Sequence, residues 1–210
     1  MKIKICGIRT LEEINYINLL KPDYIGFVFA KSKRKITMEE AKNLILNLDK
    51  NIKSVGVFKN NSIEEVLRIT SYLCLDVIQL HGDEDVNYIN SLRKLIGCKT
   101  LIWKAILIGS DNKMEDYKNY KVDAVILDGI EAGSGQVFNW RLINTSDSKI
   151  KIFLAGGINE DNVLSGIEVV KPYGIDVSSG VEVIDEEFIR KKSFYKMDRL
   201  IRKVRDNYEG

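Results

Sequence analysis

Cys6 closes the first apolar stretch of the chain, "KIKICGIRT", and is followed at once by Gly7. A cysteine that only packs behaves as a small buried hydrophobe and can sit anywhere inside a strand or helix. One at the C-terminal end of a strand, against a glycine turn, is placed to react. Two later stretches carry a different chemistry. "LAGGINEDNV" runs from an apolar strand through Gly156 and Gly157 into a helix opened by Asn159 and acidic residues, and "DVSSGVE" puts Ser178, Ser179 and a glycine directly behind another strand. Backbone N–H groups in such turns cradle a phosphate, because glycine lets the backbone approach the anion closely. "EAGSGQ" adds candidate donors from Gly133, Ser134 and Gly135. A single glycine pair is better read as a turn that needs φ > 0. Two such loops at consecutive strand ends point instead to phosphate.

The elements that must position these groups are short β-branched or aromatic runs: "KIKIC" (2–6), "DYIGFVF" (23–29), "KSVGVF" (53–58), "DVIQL" (76–80), "TLIWKAI" (100–106), "DAVILD" (123–128), "KIFLA" (151–155) and "YGIDVS" (173–178). Most are nearly continuous apolar segments, as parallel strands covered on both faces should be. Helical patterns lie between them. Thr10 with Glu13, Thr37 with Glu40 and Ser62 with Glu65 each read as a capping box, and "DEDVNYINSLRKLIG" starts acidic and ends basic, in keeping with the helix dipole. "NEDNVLSGIEVV" and a C-terminal helix over "DEEFIRKKSFYKMDRLIRKVRD" complete the set. "KPDYIGFVF" and "KPYGIDVSSG" both place a proline where a helix ends and a strand begins. Eight β-loop-α units predict an α/β fold, a (β/α)8 TIM barrel formed as one domain over residues 1–210. A doubly wound open sheet is the competitor that periodicity alone leaves open.

In either architecture the C-terminal strand ends share one face, where ligands bind. Cys6, the basic loop "KSKR" with Arg34, His81, Asp128 and the two glycine–serine loops all follow strands directly. One mouth can therefore hold them all.

Composition narrows the function classes. The chain has 32 basic and 30 acidic residues, a net charge of +2, so no global attraction to polyanions is expected. Without interleaved aromatics, "KSKRK" argues against nucleic acid. No apolar run approaches the roughly 20 residues of a membrane span, and the N-terminus reads as a strand rather than a signal peptide. Three widely spaced cysteines, Cys6, Cys74 and Cys98, suggest a reduced, cytoplasmic compartment. His81 is the only histidine, which disfavours a multi-histidine metal site.

Taken in order, "KICGIRT", "DYIGFVFAKSKRKI", "VGVF", "VIQLHGDE", "VILDG", "GSGQVFNW", "LAGGINEDNV" and "GIDVSSGVE" resemble the signature blocks of the phosphoribosylanthranilate isomerase family. The resemblance runs from the first strand to the eighth. It implies a (β/α)8 barrel that performs a cofactor-free Amadori rearrangement on a phosphorylated aminosugar in tryptophan biosynthesis. It implies Asp128 as the general acid that opens the sugar ring, Cys6 as the base at C2, and Arg34 as the holder of the anthranilate carboxylate. An acid in this role must enter the reaction protonated, and a thiol base needs nearby positive charge. Asp176 is the reserve candidate for the acid. His81 belongs to a block but is expected to position or to support rather than to transfer protons. Trp103, Trp140 and Phe138 are expected to pack.

The loop after Asp128 departs from the family pattern at Ala132, Gln136 and Asn139 and looks short, which leaves its contacts with substrate open. Beyond the eighth strand no catalytic contribution is expected, the basic residues from Arg190 onward reading as a solvated outer face. Other readings remain open. An indole-glycerol-phosphate synthase would want a catalytic lysine, for which Lys104 is a candidate. A histidine-pathway isomerase would want an aspartate where Cys6 stands. A non-catalytic sugar-phosphate-binding barrel is the third. The expected partners are the phosphorylated substrate alone, with no nucleic acid, no membrane and no metal, in a monomer or homodimer.

Overall fold

The computed structural model describes residues 1–108, 120–129, 140, 143, 150–186 and 189–208. Eight strands pair in chain order, each parallel to the next: β1 (Lys2–Cys6), β2 (Tyr24–Val28), β3 (Lys53–Phe58), β4 (Val77–Leu80), β5 (Leu101–Ile108), β6 (Ala124–Gly129), β7 (Lys151–Leu154) and β8 (Gly174–Val177). β8 returns to β1 with Lys2 opposite Gly174 and Ile5 opposite Val177, and this pairing closes the barrel. The open sheet is thereby excluded.

Helices α1 (Leu11–Leu20), α2 (Met38–Leu46), α3 (Ile63–Leu73), α4 (Val86–Leu95), α5 (Val163–Val170) and α6 (Phe194–Tyr208) are the helices among the described residues. Local chemistry sets their ends. Thr10 and Thr37 form the expected capping boxes with Glu13 and Glu40, and Asp85 caps α4. Ser62 caps α3 through the Glu65 amide, but the reciprocal half of the box is absent because Glu65 instead accepts a hydrogen bond from Asn61 Nδ2 at 2.9 Å. Lys21 and Lys171 end α1 and α5 in the left-handed conformation, and Pro22 and Pro172 then carry the chain towards the next strand.

The barrel interior is layered. Tyr24, Val55, Val77, Trp103, Ala124 and Phe153 form one cluster at the end away from Cys6, with the Trp103 and Phe153 rings 4.5 Å apart. A ligand must enter from the other end. One layer deeper than the strand ends, where pattern alone would place aliphatics, stand the buried polar side chains Lys4, Gln79 and Asp176. Each is two residues before a mouth residue (Cys6, His81 and Ser178), hence on the same strand face.

The segment after β8 differs from expectation. A 3-10 turn over Ser179–Val181 leads into β9 (Glu182–Ile184), which pairs antiparallel with β10 (Arg190–Lys192), and the last helix starts only at Phe194. Lys192 is no solvated residue. It is 3% exposed, its Nζ donates to Glu182 Oε1 at 2.8 Å and to Ser178 O at 3.0 Å, and its N–H reaches Glu13 Oε1 at 2.9 Å. Its ammonium group is buried against a carboxylate and two oxygens of the β8 loop, and the backbone that carries it is a strand where the sequence pattern reads as a helix.

Candidate active site

The C-terminal strand ends converge on one cavity of about 460 Å³, open to solvent. Its lining includes every predicted site residue that lies among the described ones: Cys6, Arg34, His81, Asp128, Gly156, Gly157, Ser178 and Ser179. Gly133 and Gly135, with Ala132, Gln136, Phe138 and Asn139, lie outside the described residues. Trp103 and Trp140 pack as expected.

Cys6 ends β1 beside Gly26 of β2, its register partner. A Cβ on Gly26 would stand 2.7 Å from the Cys6 sulfur, so only glycine leaves room for the thiol there. Burial pushes the thiol above its ordinary pKa; the Lys4 and Lys192 ammonium groups pull against this while the Asp176 carboxylate adds to it. Lys4 Nζ bonds Asp176 Oδ2 at 2.6 Å. Burial works against the Lys4 charge, but Asp176 and the thiol hold its pKa above the ordinary lysine value. The positive charge that a thiolate needs thus stands directly behind Cys6. Asp176, the reserve acid, is engaged by Lys4 through one oxygen, while the other, Oδ1, is buried without a hydrogen-bond partner.

Arg34 takes up a different geometry from the free fork that carboxylate recognition suggests. Its Nε and Nη2 grip both oxygens of Glu182, at 2.6 and 2.7 Å. Burial alone would raise the Glu182 carboxyl, yet Arg34 and Lys192 hold it down at about 2. The bidentate pair fixes the guanidinium on the cavity wall, through Nε and Nη2. Arg190 on β10 also lines the cavity, 3.8 Å from Glu182.

On the opposite wall Asp128, 9% exposed, accepts the Gly129 N–H on Oδ1 at 2.8 Å, and its Oδ2 lies 3.5 Å from His81 Nε2. Gly156 and Gly157 both have positive φ, +78° and +70°. A Cβ at Gly156 would meet the Gly129 nitrogen at 2.6 Å, so the β7 loop can close on Asp128 only as glycine. The Ser178 hydroxyl is engaged within the protein: it donates to Cys6 O at 3.0 Å and accepts from Lys192 at 3.3 Å. Ser178 and Ser179 both line the cavity.

Lys104, the lysine that an indole-glycerol-phosphate synthase reading would need, donates to Gly82 O at 2.6 Å and pairs with Glu84 at 3.2 Å, and it is not on the cavity lining. It ties down the loop that carries His81. Among the described residues no cluster of His, Cys, Asp and Glu is arranged to hold a metal.

The family model described as N-(5'phosphoribosyl)anthranilate (PRA) isomerase matches residues 3–191. The chain belongs to the PRA isomerase family. A PRA isomerase of Clostridium beijerinckii is 46% identical over 223 aligned positions that cover 98% of this chain and 97% of that protein. The crystal structure of the Thermus thermophilus PRA isomerase superposes with a TM-score of 0.86 at 30% identity, covering 99% of this chain and 100% of that one. A PRA isomerase solved in complex with reduced 1-(o-carboxyphenylamino)-1-deoxyribulose 5-phosphate gives a TM-score of 0.83 at 33% identity, covering 98% and 99% of the two chains.

Relative to the PRA isomerase blocks, the site contains residues that motif reading passed over: Lys4, Gln79, Glu182, Arg190 and Lys192. Lys4 and Gln79 had a signal. Each is a polar residue inside an apolar run, at the spacing of two that puts it on the same face as Cys6 or His81. Lys192 had none, because one basic residue among several looks the same whether it is solvated or buried.

Proposed function

We propose that this chain converts N-(5'-phosphoribosyl)anthranilate to 1-(2-carboxyphenylamino)-1-deoxyribulose 5-phosphate, with Asp128 as acid and Cys6 as base. The observation that carries the residue assignment is that both groups line one cavity with the Gly156–Gly157 and Ser178–Ser179 loops, in a PRA isomerase barrel. Asp128 gives its proton to the ring oxygen as the C1–O bond breaks, and the amine lone pair forms the C1=N iminium. The Cys6 thiolate then removes the C2 proton, and that bonding pair becomes C1=C2 as the C=N pair returns to nitrogen. Protonation at C1 and loss of the O2 proton deliver the ketone. The iminium is its own electron sink, so the sequence of steps calls for no cofactor. The glycine–serine loops hold the phosphate, and Arg34 holds the anthranilate carboxylate. The substrate is the partner in this reading, and the protein works in a reducing cytoplasm; the free, exposed thiols of Cys74 and Cys98 suit that compartment. No helix among the described residues is long and apolar enough to cross a membrane.

Mixing purified protein with freshly prepared phosphoribosylanthranilate and following the loss of anthranilate-type fluorescence tests the activity. Decay no faster than the spontaneous rate would remove it. Arg34→Ala should raise KM by about tenfold or more, the worth of a charge-assisted hydrogen bond, while kcat changes less. An unchanged KM would take the carboxylate away from Arg34.

Glu182 also links the site to acid stability. Its folded carboxyl lies at about 2, below the ordinary 4.5, so its stabilisation is complete above pH 4.5 and is lost as the pH falls from there towards 2. Urea midpoints measured across that window should fall more steeply for the natural protein than for Glu182→Gln. Equal slopes would mean that the carboxylate is not held by Arg34 and Lys192.

A further inference from the structure

Gln79 is 1% exposed at the cavity floor, in the middle of an otherwise apolar strand, and the steps above give it nothing to do. Its side-chain Nε2 lies 3.1 Å from His81 Nδ1. The other ring nitrogen, Nε2, faces Asp128 Oδ2 at 3.5 Å, while Asp128 Oδ1 already holds the Gly129 N–H. Gln79 of β4, His81 just past its end and Asp128 of β6 thus form a chain of neighbours: amide, imidazole, carboxyl.

A neutral imidazole carries one N–H and one lone pair, and the partner of one nitrogen decides what the other presents. An amide nitrogen can only donate, so the nitrogen it faces must offer its lone pair. The ring proton then belongs on Nε2, pointing at Asp128. Turning the amide over would put the proton on Nδ1 and set a lone pair against the carboxylate.

We propose that Gln79 locks His81 in its Nε2–H form, and that His81 is thereby a positioning residue for Asp128, presenting a proton to Oδ2. The inference rests on the reading of Asp128 as the acid. When Asp128 releases its proton to the ring oxygen, negative charge appears on its carboxyl. Gly129 N–H then meets that charge on one oxygen and His81 Nε2–H on the other, each already aimed before the step begins. Donors fixed in advance of a developing charge lower the barrier because nothing has to reorganise. The present separation of 3.5 Å is longer than a hydrogen bond, and the contact shortens as the charge develops.

The single histidine makes the state of the ring directly readable, since a 15N-labelled sample gives one imidazole spin system with no assignment problem. At neutral pH the ring should show a protonated Nε2 and an unprotonated Nδ1. In Gln79→Met, which removes the donor at similar volume, the ring should populate both tautomers and kcat should fall about tenfold, with KM within about twofold. His81→Gln, which can still reach Asp128 with an N–H, should keep about tenfold more kcat than His81→Met, which cannot. An Nδ1–H ring or an imidazolium in the natural protein would overturn the proposal. So would equal kcat in His81→Gln and His81→Met. The ring spectrum needs no turnover, so failure of the lock and failure of the isomerase reading are told apart.

Discussion

Cys6→Ala loses turnover, with kcat down by about 10³-fold or more, while the fold and substrate binding persist. The size follows from what a positioned base is worth in proton transfer, about 10² to 10⁴-fold. Among the described lining residues Asp176 is the alternative base, and Lys4 holds one of its oxygens at 2.6 Å. The fold should tolerate the change. Cys6 is only partly buried, and the removed sulfur faces the cavity beside Gly26 rather than the packed layer. Cys6→Ser separates shape from chemistry, because a hydroxyl fills the site but ionises far above any working pH; it should be nearly as inactive as the alanine variant. The pH dependence has a definite sign. The base must be unprotonated, and burial holds the thiol above its ordinary pKa against the pull of Lys4 and Lys192. At neutral pH the thiolate is therefore the minor form, and in a Cys74→Ser, Cys98→Ser background the rate of Cys6 alkylation by iodoacetamide should climb as the pH rises on the alkaline side. An alkylation rate that does not respond to pH there would contradict the raised thiol, and a Cys6→Ala variant at near-natural rates would move the base elsewhere, with Asp176 first in line.

Asp128→Asn should cost a similar factor, about 10²- to 10⁴-fold in kcat, for a different reason. Asparagine keeps the size and still accepts the Gly129 N–H through its oxygen, but it has no proton to give to the ring oxygen. Ring opening then has to proceed without an acid. A substrate analogue whose ring is already open, such as the reduced product, should bind Asp128→Asn nearly as well as it binds the natural protein. The variant thus divides binding from ring opening. Comparable kcat in Asp128→Asn and the natural enzyme would reassign the acid. Loss of analogue binding would instead make Asp128 a binding residue.

The place of these two side chains at the barrel mouth was legible in the sequence, and so was the frame that holds them. Strand and helix alternate with periods and caps that are written locally: "KIKIC" is β1, Thr10 and Glu13 do form the first capping box, and α1 does end ahead of Pro22. Because every strand points the same way, the residue just past each strand end is at the mouth, whichever neighbours the strand acquires. That is why Cys6, His81, Asp128 and the glycine–serine loops could be gathered into one site from their order alone. Even so, local devices failed where a neighbour competed, as Asn61 did for the Glu65 carboxylate that should have completed the third capping box.

Tertiary structure alone decided who pairs with whom. Closure rests on β8 meeting β1, a contact between the two ends of the barrel sequence that no local pattern encodes. The same closure puts Asp176 against Lys4, and the β10 strand brings Lys192 to Glu182 and Ser178, turning a segment that reads as a basic helix into part of the site wall. Arg34 spends most of its fork on Glu182, and Gln79 reaches His81 from one layer below. Residue type and strand parity, which are local, suffice to say where a side chain stands along its own element. Whether a charge is solvated, paired or buried depends on groups far away in the chain, and only the folded barrel brings those groups within reach.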